Sequence, residues 1–256
     1  MIRGGRLVGF FLLLGAFTFA FVSEEAIHET GHLLAHRAYG VDARIVLDPF
    51  GGSHTVIQGP VDVTNLGITS LAGPLFALFV SVLLFLVVWQ FRRPVLLPLL
   101  LMLPLSMIQE GVTFSLGLLT PCGDSAWIVD WGMPAPLLVT IGALLLLAGV
   151  LLLAGLLPIA GLSRNERFAR RLAFVASSML PFMVVRLAVS AARSTTGLIE
   201  NAVPLVFGAI LSVAVAFLVR RVRLPGISPS RVTWTAALTS LCLALAAIGL
   251  QAGILN

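Results

Sequence analysis

The chain has 256 residues, of which 59% are hydrophobic and 11% charged, with a mean hydropathy of +1.06. Soluble domains average about 45–50% apolar and about 25% charged residues, so an ordinary cytosolic domain, a disordered tail and a collagen-like repeat are excluded. All sixteen basic residues are arginine and the net charge is +5. Because the arginines stand between long apolar runs, they point to anionic lipid head groups and not to nucleic acid. The two cysteines, Cys122 and Cys242, fit neither a disulfide framework nor a CxxC zinc pattern.

Crossing about 30 Å of hydrocarbon takes about 20 apolar helical residues. Seven stretches qualify, at approximately 7–36, 64–90, 94–119, 136–158, 172–191, 202–220 and 233–254. The expected fold is an all-α polytopic membrane protein of about seven transmembrane helices, with a short β-hairpin between the first and second. The first stretch starts with Arg3 and Arg6, like a signal peptide, but no small-x-small cleavage site follows it. It is expected to be a retained span.

With alternating spans, Arg3, Arg6, Arg92, Arg93, Arg164, Arg167, Arg170, Arg171, Arg220, Arg221, Arg223 and Arg231 share one side of the membrane. Arg37, Arg44 and Arg193 lie on the other, and Arg186 falls inside the fifth stretch. The positive-inside rule then predicts a cytoplasmic N-terminus and an external C-terminus. Arg186 is expected to snorkel to the outer interface, its alternatives being a pair with an acid such as Glu110 or a bond to a substrate carboxylate. The segment around Arg164–Arg171 is expected to touch anionic lipid. Runs such as Ala236-Ala237 predict close helix packing.

Residues 41–60 break the helical pattern. Val41, Ala43, Ile45 and Leu47 alternate with Asp42, Arg44 and Asp48, a turn follows at Pro49-Phe50-Gly51-Gly52, and Thr55-Val56-Ile57 is again β-prone. This pattern predicts a hairpin.

The chemistry concentrates just before it. His28-Glu29-Thr30-Gly31-His32 is an HExxH motif. Residues i and i+4 share a helix face, so both imidazoles can bind one zinc ion, while Glu29 can act as general base on a water. Ionisable groups this close to a span are costly and point to function. A catalytic zinc takes a third protein ligand. His36 lies about 12 Å along the axis from His28 at 1.5 Å per residue, too far for one ion, and is expected to be an interfacial histidine. Asp124, Asp130 and Glu110 are candidates on the same side of the membrane. Asp124 follows the helix-breaking Pro121 and Gly123, and capping of the next helix is its alternative role. Asp130 lies between Trp127 and Trp131, as expected beside an aromatic belt. Glu110 is a candidate substitute ligand, an outer-shell partner or a packing residue. Glu24 and Glu25, one turn before His28, are candidates to hold its free ring nitrogen.

A first-span HExxH, a β-prone loop with Gly-Gly, Leu71-Ala72-Gly73-Pro74-Leu75 in a second span and Gly123-Asp124 after a third together resemble the site-2 protease family of intramembrane zinc metalloproteases. They are most similar to its compact branch with a Gly-Asp late motif. The resemblance covers roughly residues 7–130. It implies His28, His32 and Asp124 as zinc ligands and Glu29 as base. It also implies that a hairpin containing Arg44, Ile45, Val46, Leu47, Gly51 and Gly52 offers a strand edge to an unwound substrate helix, whose backbone groups need partners in the bilayer. Phe76 and Ala77 stand where the family often has Asn, and there is no Leu-Asp-Gly signature or inserted PDZ-like domain, so substrate selection does not carry over.

The expected organisation is a catalytic three-helix core over 1–135 and four further helices over 136–256, forming one membrane-embedded unit. The expected activity is zinc-dependent hydrolysis of peptide bonds in or near transmembrane segments. The expected setting is a bacterial or archaeal cell membrane, with the zinc site towards the outer side. The rival readings are a non-proteolytic transporter or pseudo-protease scaffold, and a zinc protease of the prenyl-protein-processing type with a glutamate as third ligand.

Overall fold

The computed structural model describes residues 2–50, 52–59, 62–119, 123–193, 195–227 and 231–253. In chain order these form α1 (Ile2–Ala38), β1 (Asp42–Val46), β2 (His54–Gln58), α2 (Val63–Trp89), α3 (Leu97–Leu116), α4 (Asp124–Asp130), α5 (Ala135–Leu156), α6 (Phe168–Arg193), α7 (Thr195–Leu218) and α8 (Trp234–Gln251). Among the described residues, six helical stretches are long and apolar enough to cross a membrane: Arg6–Ala38, Asn65–Trp89, Pro94–Leu116, Ala135–Ala160, Phe168–Ala192 and Trp234–Gln251. The described apolar part of α7, Leu205–Leu218, is shorter than these.

Burial separates two kinds of span. Within their most apolar windows, the spans of α1 and α3 are 61% buried, against 28% for those of α2, α6 and α8 and 33% for that of α5. The first pair is therefore the centre of the bundle and the others are its wall. That wall exposes Phe79 (59%), Leu86 (65%), Leu144 (62%) and Leu245 (68%). Large apolar side chains exposed on this scale suit a hydrocarbon solvent. The core packs Leu12, Leu13 and Ala16 of α1 against Leu100 and Leu101 of α3 and Leu153 of α5.

Small residues set the helix spacing. Ala236 and Ala237 are buried, as their sequence run predicts, and the Ser240 hydroxyl donates to Leu12 O at 3.0 Å where α8 crosses α1. Close approach without bulky side chains is how helices gain van der Waals contact in a bilayer.

At 37 residues, α1 is about 55 Å long at 1.5 Å per residue. It therefore exceeds the apolar thickness and can present a polar last third inside the bundle. Val41 N–H bonds back to His36 O at 3.0 Å as the chain leaves the helix and enters an antiparallel hairpin. Its register pairs Ala43 with Ile57 and Ile45 with Thr55. Asp48 shapes the turn by accepting the Phe50 N–H on Oδ1 at 3.0 Å and the Gly52 N–H on its carbonyl at 3.0 Å, an Asx-turn. Arg44, Ile45 and Val46 lie in β1, Leu47 follows it, and Gly51 is outside the described residues.

Two arginine expectations change. Arg186 does not snorkel: it is 9% exposed and ion-paired with Glu25 on α1, because a buried carboxylate nearby is a better partner than a distant interface. Arg171 does not face lipid. It is buried and donates to Ala216 O at 2.8 Å and Arg164 O at 3.1 Å, closing the loop before α6 onto α7.

Candidate metal centre

The i, i+4 spacing on α1 brings the His28 and His32 Nε2 atoms to 2.9 Å of each other. The Asp124 Oδ2 atom lies 3.1 Å from His28 Nε2 and 3.3 Å from His32 Nε2. A carboxylate 96 residues further along the chain therefore closes a triangle of donor atoms. Gly123 makes this possible: at φ 146° it holds a conformation that a side chain would strain. The chain turns there so that Asp124 enters α4 as its first residue, with its carboxylate on the histidines. Gly123, not Asp124, is the N-cap, so capping is not the aspartate's role. Burial pushes the Asp124 carboxyl up, but the two imidazoles beside it outweigh that and hold it below the ordinary carboxylate range.

The far side of each imidazole is also engaged. His32 Nδ1 lies 2.7 Å from the Thr69 backbone carbonyl, which can only accept, so this nitrogen carries the proton. His28 Nδ1 lies 2.7 Å from Glu110 Oε1 and donates to that carboxylate. With Nδ1 so engaged, Nε2 is the nitrogen that each ring turns towards its neighbour and towards Asp124. Two imidazole nitrogens and a carboxylate oxygen gathered within 3.3 Å of one another are a donor set for a cation. The same pattern of a ligating His donating its other N–H to a carboxylate or carbonyl recurs at metal sites. Buried His and Glu groups here can hold a metal ion: a Glu29 oxygen lies within 4.8 Å of the two histidine donors, and Glu24, His28 and Glu110 form a second such group.

Packing fixes the rings. Gly73 of α2 faces the His32 imidazole, where a Cβ would meet Nε2, Cε1 and Cδ2 of the ring. On the same face a Cβ at Gly31 would meet Ala72 O at 2.6 Å and the Gly73 Cα at 2.9 Å. The Ala72-Gly73-Pro74 stretch is thus the seat of His32, and Thr69, one turn earlier, supplies its acceptor.

The Glu29 carboxylate reaches the hairpin. Thr55 of β2 donates its hydroxyl to Glu29 Oε2 at 2.7 Å. Glu25, one turn earlier on that face, binds Arg186, whose guanidinium also stacks 5.2 Å from the Phe21 ring centre. Of the acids proposed to hold His28, Glu110 does so directly, Glu24 is buried beside the pair, and Glu25 is engaged elsewhere. Asp130 is exposed at the end of α4. His36 is 4% exposed.

Thr55 and Thr69 escaped the sequence reading. Thr55 carried a strand signal and no site signal, and Thr69 acts through its backbone, which no side-chain pattern reports. Comparison with protein-family models, with curated proteins and with solved structures finds no match to this chain.

Proposed function

We propose that this protein is an intramembrane zinc metallopeptidase similar to the site-2 protease family, hydrolysing peptide bonds in or near transmembrane segments of membrane proteins. The observation that carries this reading is the His28–His32–Asp124 triangle. Four ligands about 2.0–2.1 Å from a tetrahedral zinc stand about 3.3 Å apart, and the edges of 2.9, 3.1 and 3.3 Å come within a few tenths of an ångström of that. Two imidazoles and one carboxylate are a catalytic zinc donor set that leaves a fourth position for water or substrate.

Zinc, when bound, supplies Lewis acidity, acidifying a water and polarising the scissile carbonyl. The chain's own residues do the rest. Glu29 accepts a proton from the attacking water on Oε1 and delivers it to the departing amine. Thr55 holds Oε2, which leaves Oε1 to take the proton. Glu110 and Thr69 fix the two rings from behind. The hairpin's Arg44, Ile45, Val46 and Leu47 run beside β2 and offer main-chain partners to an extended substrate. Glu110 meets His28 at Nδ1, the nitrogen facing away from the triangle, which favours Asp124 over Glu110 as third ligand and this reading over the prenyl-protein-processing type.

The reading includes seven spans, with α7 as the sixth, a cytoplasmic N-terminus and the zinc site in the outer half of the membrane. The three-helix core over 1–135 carries the chemistry, and the four later helices cover it. Its test is co-expression with a panel of single-span membrane proteins. Wild-type protein should release truncated products, while Glu29→Gln protein and cells treated with a zinc chelator should not. Identical product patterns with and without Glu29 would refute the reading.

A further inference from the structure

Phe17, Phe21, Glu25 and Glu29 follow one another at four-residue steps on α1 and so share one face of the helix. The first three of them line a cavity of about 220 Å³ between α1, α3, α6 and α7, with walls that include Ile108, Met179, Met183 and Leu211. The stripe continues one helical turn, about 6 Å along the axis, from the cavity's polar end at Glu25 to Glu29.

That end is asymmetric in its chemistry. Glu25 Oε1 accepts from Arg186, but Glu25 Oε2 and Gln109 Oε1 are buried acceptors with no donor among the described residues. Buried acceptors without donors are costly, and inside a bilayer they match what an unwound peptide brings: backbone N–H groups that have lost their helical partners. An acyl chain brings no donor. The volume is also apt, since an apolar cavity of about 150 Å³ accommodates benzene, and 220 Å³ suits a phenylalanine or leucine side chain.

We infer that this cavity is a side-chain pocket for the substrate, taking one large apolar residue of an unwound transmembrane segment while Glu25 Oε2 and Gln109 Oε1 accept its neighbouring N–H groups. The inference rests on the peptidase reading for the word substrate, but occupancy of the pocket can be measured without catalysis.

The experiment uses full-length Glu29→Gln protein in phosphatidylcholine vesicles. It is mixed with single-span Leu/Ala model peptides, each carrying one benzoylphenylalanine at a successive position, and irradiated. Crosslinks to Met179 or Met183 should come from one guest position. They should fall at least tenfold in Ile108→Trp protein, which fills the cavity while keeping both methionines, with zinc content unchanged. If that variant does not fold, Leu211→Ala, which enlarges the cavity, should spread the crosslinks to neighbouring guest positions. Crosslinks indifferent to guest position or to both substitutions would overturn the pocket. So would a benzophenone-bearing phospholipid that labels Met179 and Met183 where the peptides do not. Wild-type protein is assayed in parallel for peptide cleavage: crosslinking without cleavage supports the pocket and fails the peptidase reading, whereas cleavage without crosslinking overturns the pocket alone.

Discussion

The Thr55 hydroxyl donates to Glu29 Oε2 at 2.7 Å and lies 3.2 Å from the Glu29 carbonyl oxygen. The hairpin is therefore joined through β2 to the zinc helix at the residue proposed as base, and the hairpin whose β1 side would receive a substrate also orients the proton carrier. A hydrogen bond to a charged group contributes about 1.5–3 kcal/mol. Thr55→Val should lower kcat between tenfold and about a hundredfold, leave KM within twofold, and leave bound zinc unchanged. Thr55→Ser should restore the rate. A valine variant with full activity would remove Thr55 from the mechanism.

Glu110→Ala removes the acceptor behind His28. Losing such a partner typically costs about 10–100-fold in metal affinity. Zinc titration with a competing chelator should show that loss, and a milder one for Glu110→Gln, which keeps a carbonyl oxygen able to accept the Nδ1–H. Equal effects of both substitutions would mean that Glu110 acts through its charge and not through this hydrogen bond.

Gly73→Ala places a methyl group against the His32 ring, so either α2 or the imidazole must move. Overpacking of this kind costs about 1–3 kcal/mol. The expected outcome is a protein that still folds, with a lowered Tm and zinc affinity reduced at least tenfold. Unchanged zinc affinity would show that His32 is not seated by α2.

Arg186→Met leaves the Glu25 carboxylate buried without its ion-pair partner. Breaking a buried pair from one side costs about 3–5 kcal/mol, whereas replacing both partners by apolar groups is often neutral. Thermal unfolding in detergent should therefore show a large loss for Arg186→Met and recovery in the double variant Glu25→Leu/Arg186→Met. Additive losses would mean that the two residues act separately.

Local sequence pattern carried a good deal of this structure. Apolar runs longer than a bilayer is thick mark the six long spans, and the alternation around Ile45 with the Asp48 turn marks the hairpin. His28 and His32 need only helical periodicity to converge. What pattern does not carry is the meeting of distant segments. The helix-breaking Pro121 and Gly123 suggest that Asp124 can be aimed into the bundle, but not at which partner, because that depends on the Gly123 conformation and on how α3 packs beside α1. Arg186 suggested an interface or a pair with Glu110, whereas its partner, Glu25, lies 161 positions away in the sequence. Thr55 and Thr69 contribute one hydroxyl and one carbonyl, groups whose role is set wholly by their tertiary neighbours.

The central claim is that His28, His32 and Asp124 bind one catalytic zinc. The most direct test is zinc stoichiometry with zinc-edge X-ray absorption on the purified wild-type and Asp124→Ala proteins. The prediction is one zinc per chain in the wild type, with two imidazole nitrogens and a carboxylate oxygen at about 2.0–2.2 Å, and loss of most of that zinc in the variant. A wild-type protein that takes up no zinc, or a zinc shell unchanged by Asp124→Ala, would contradict it.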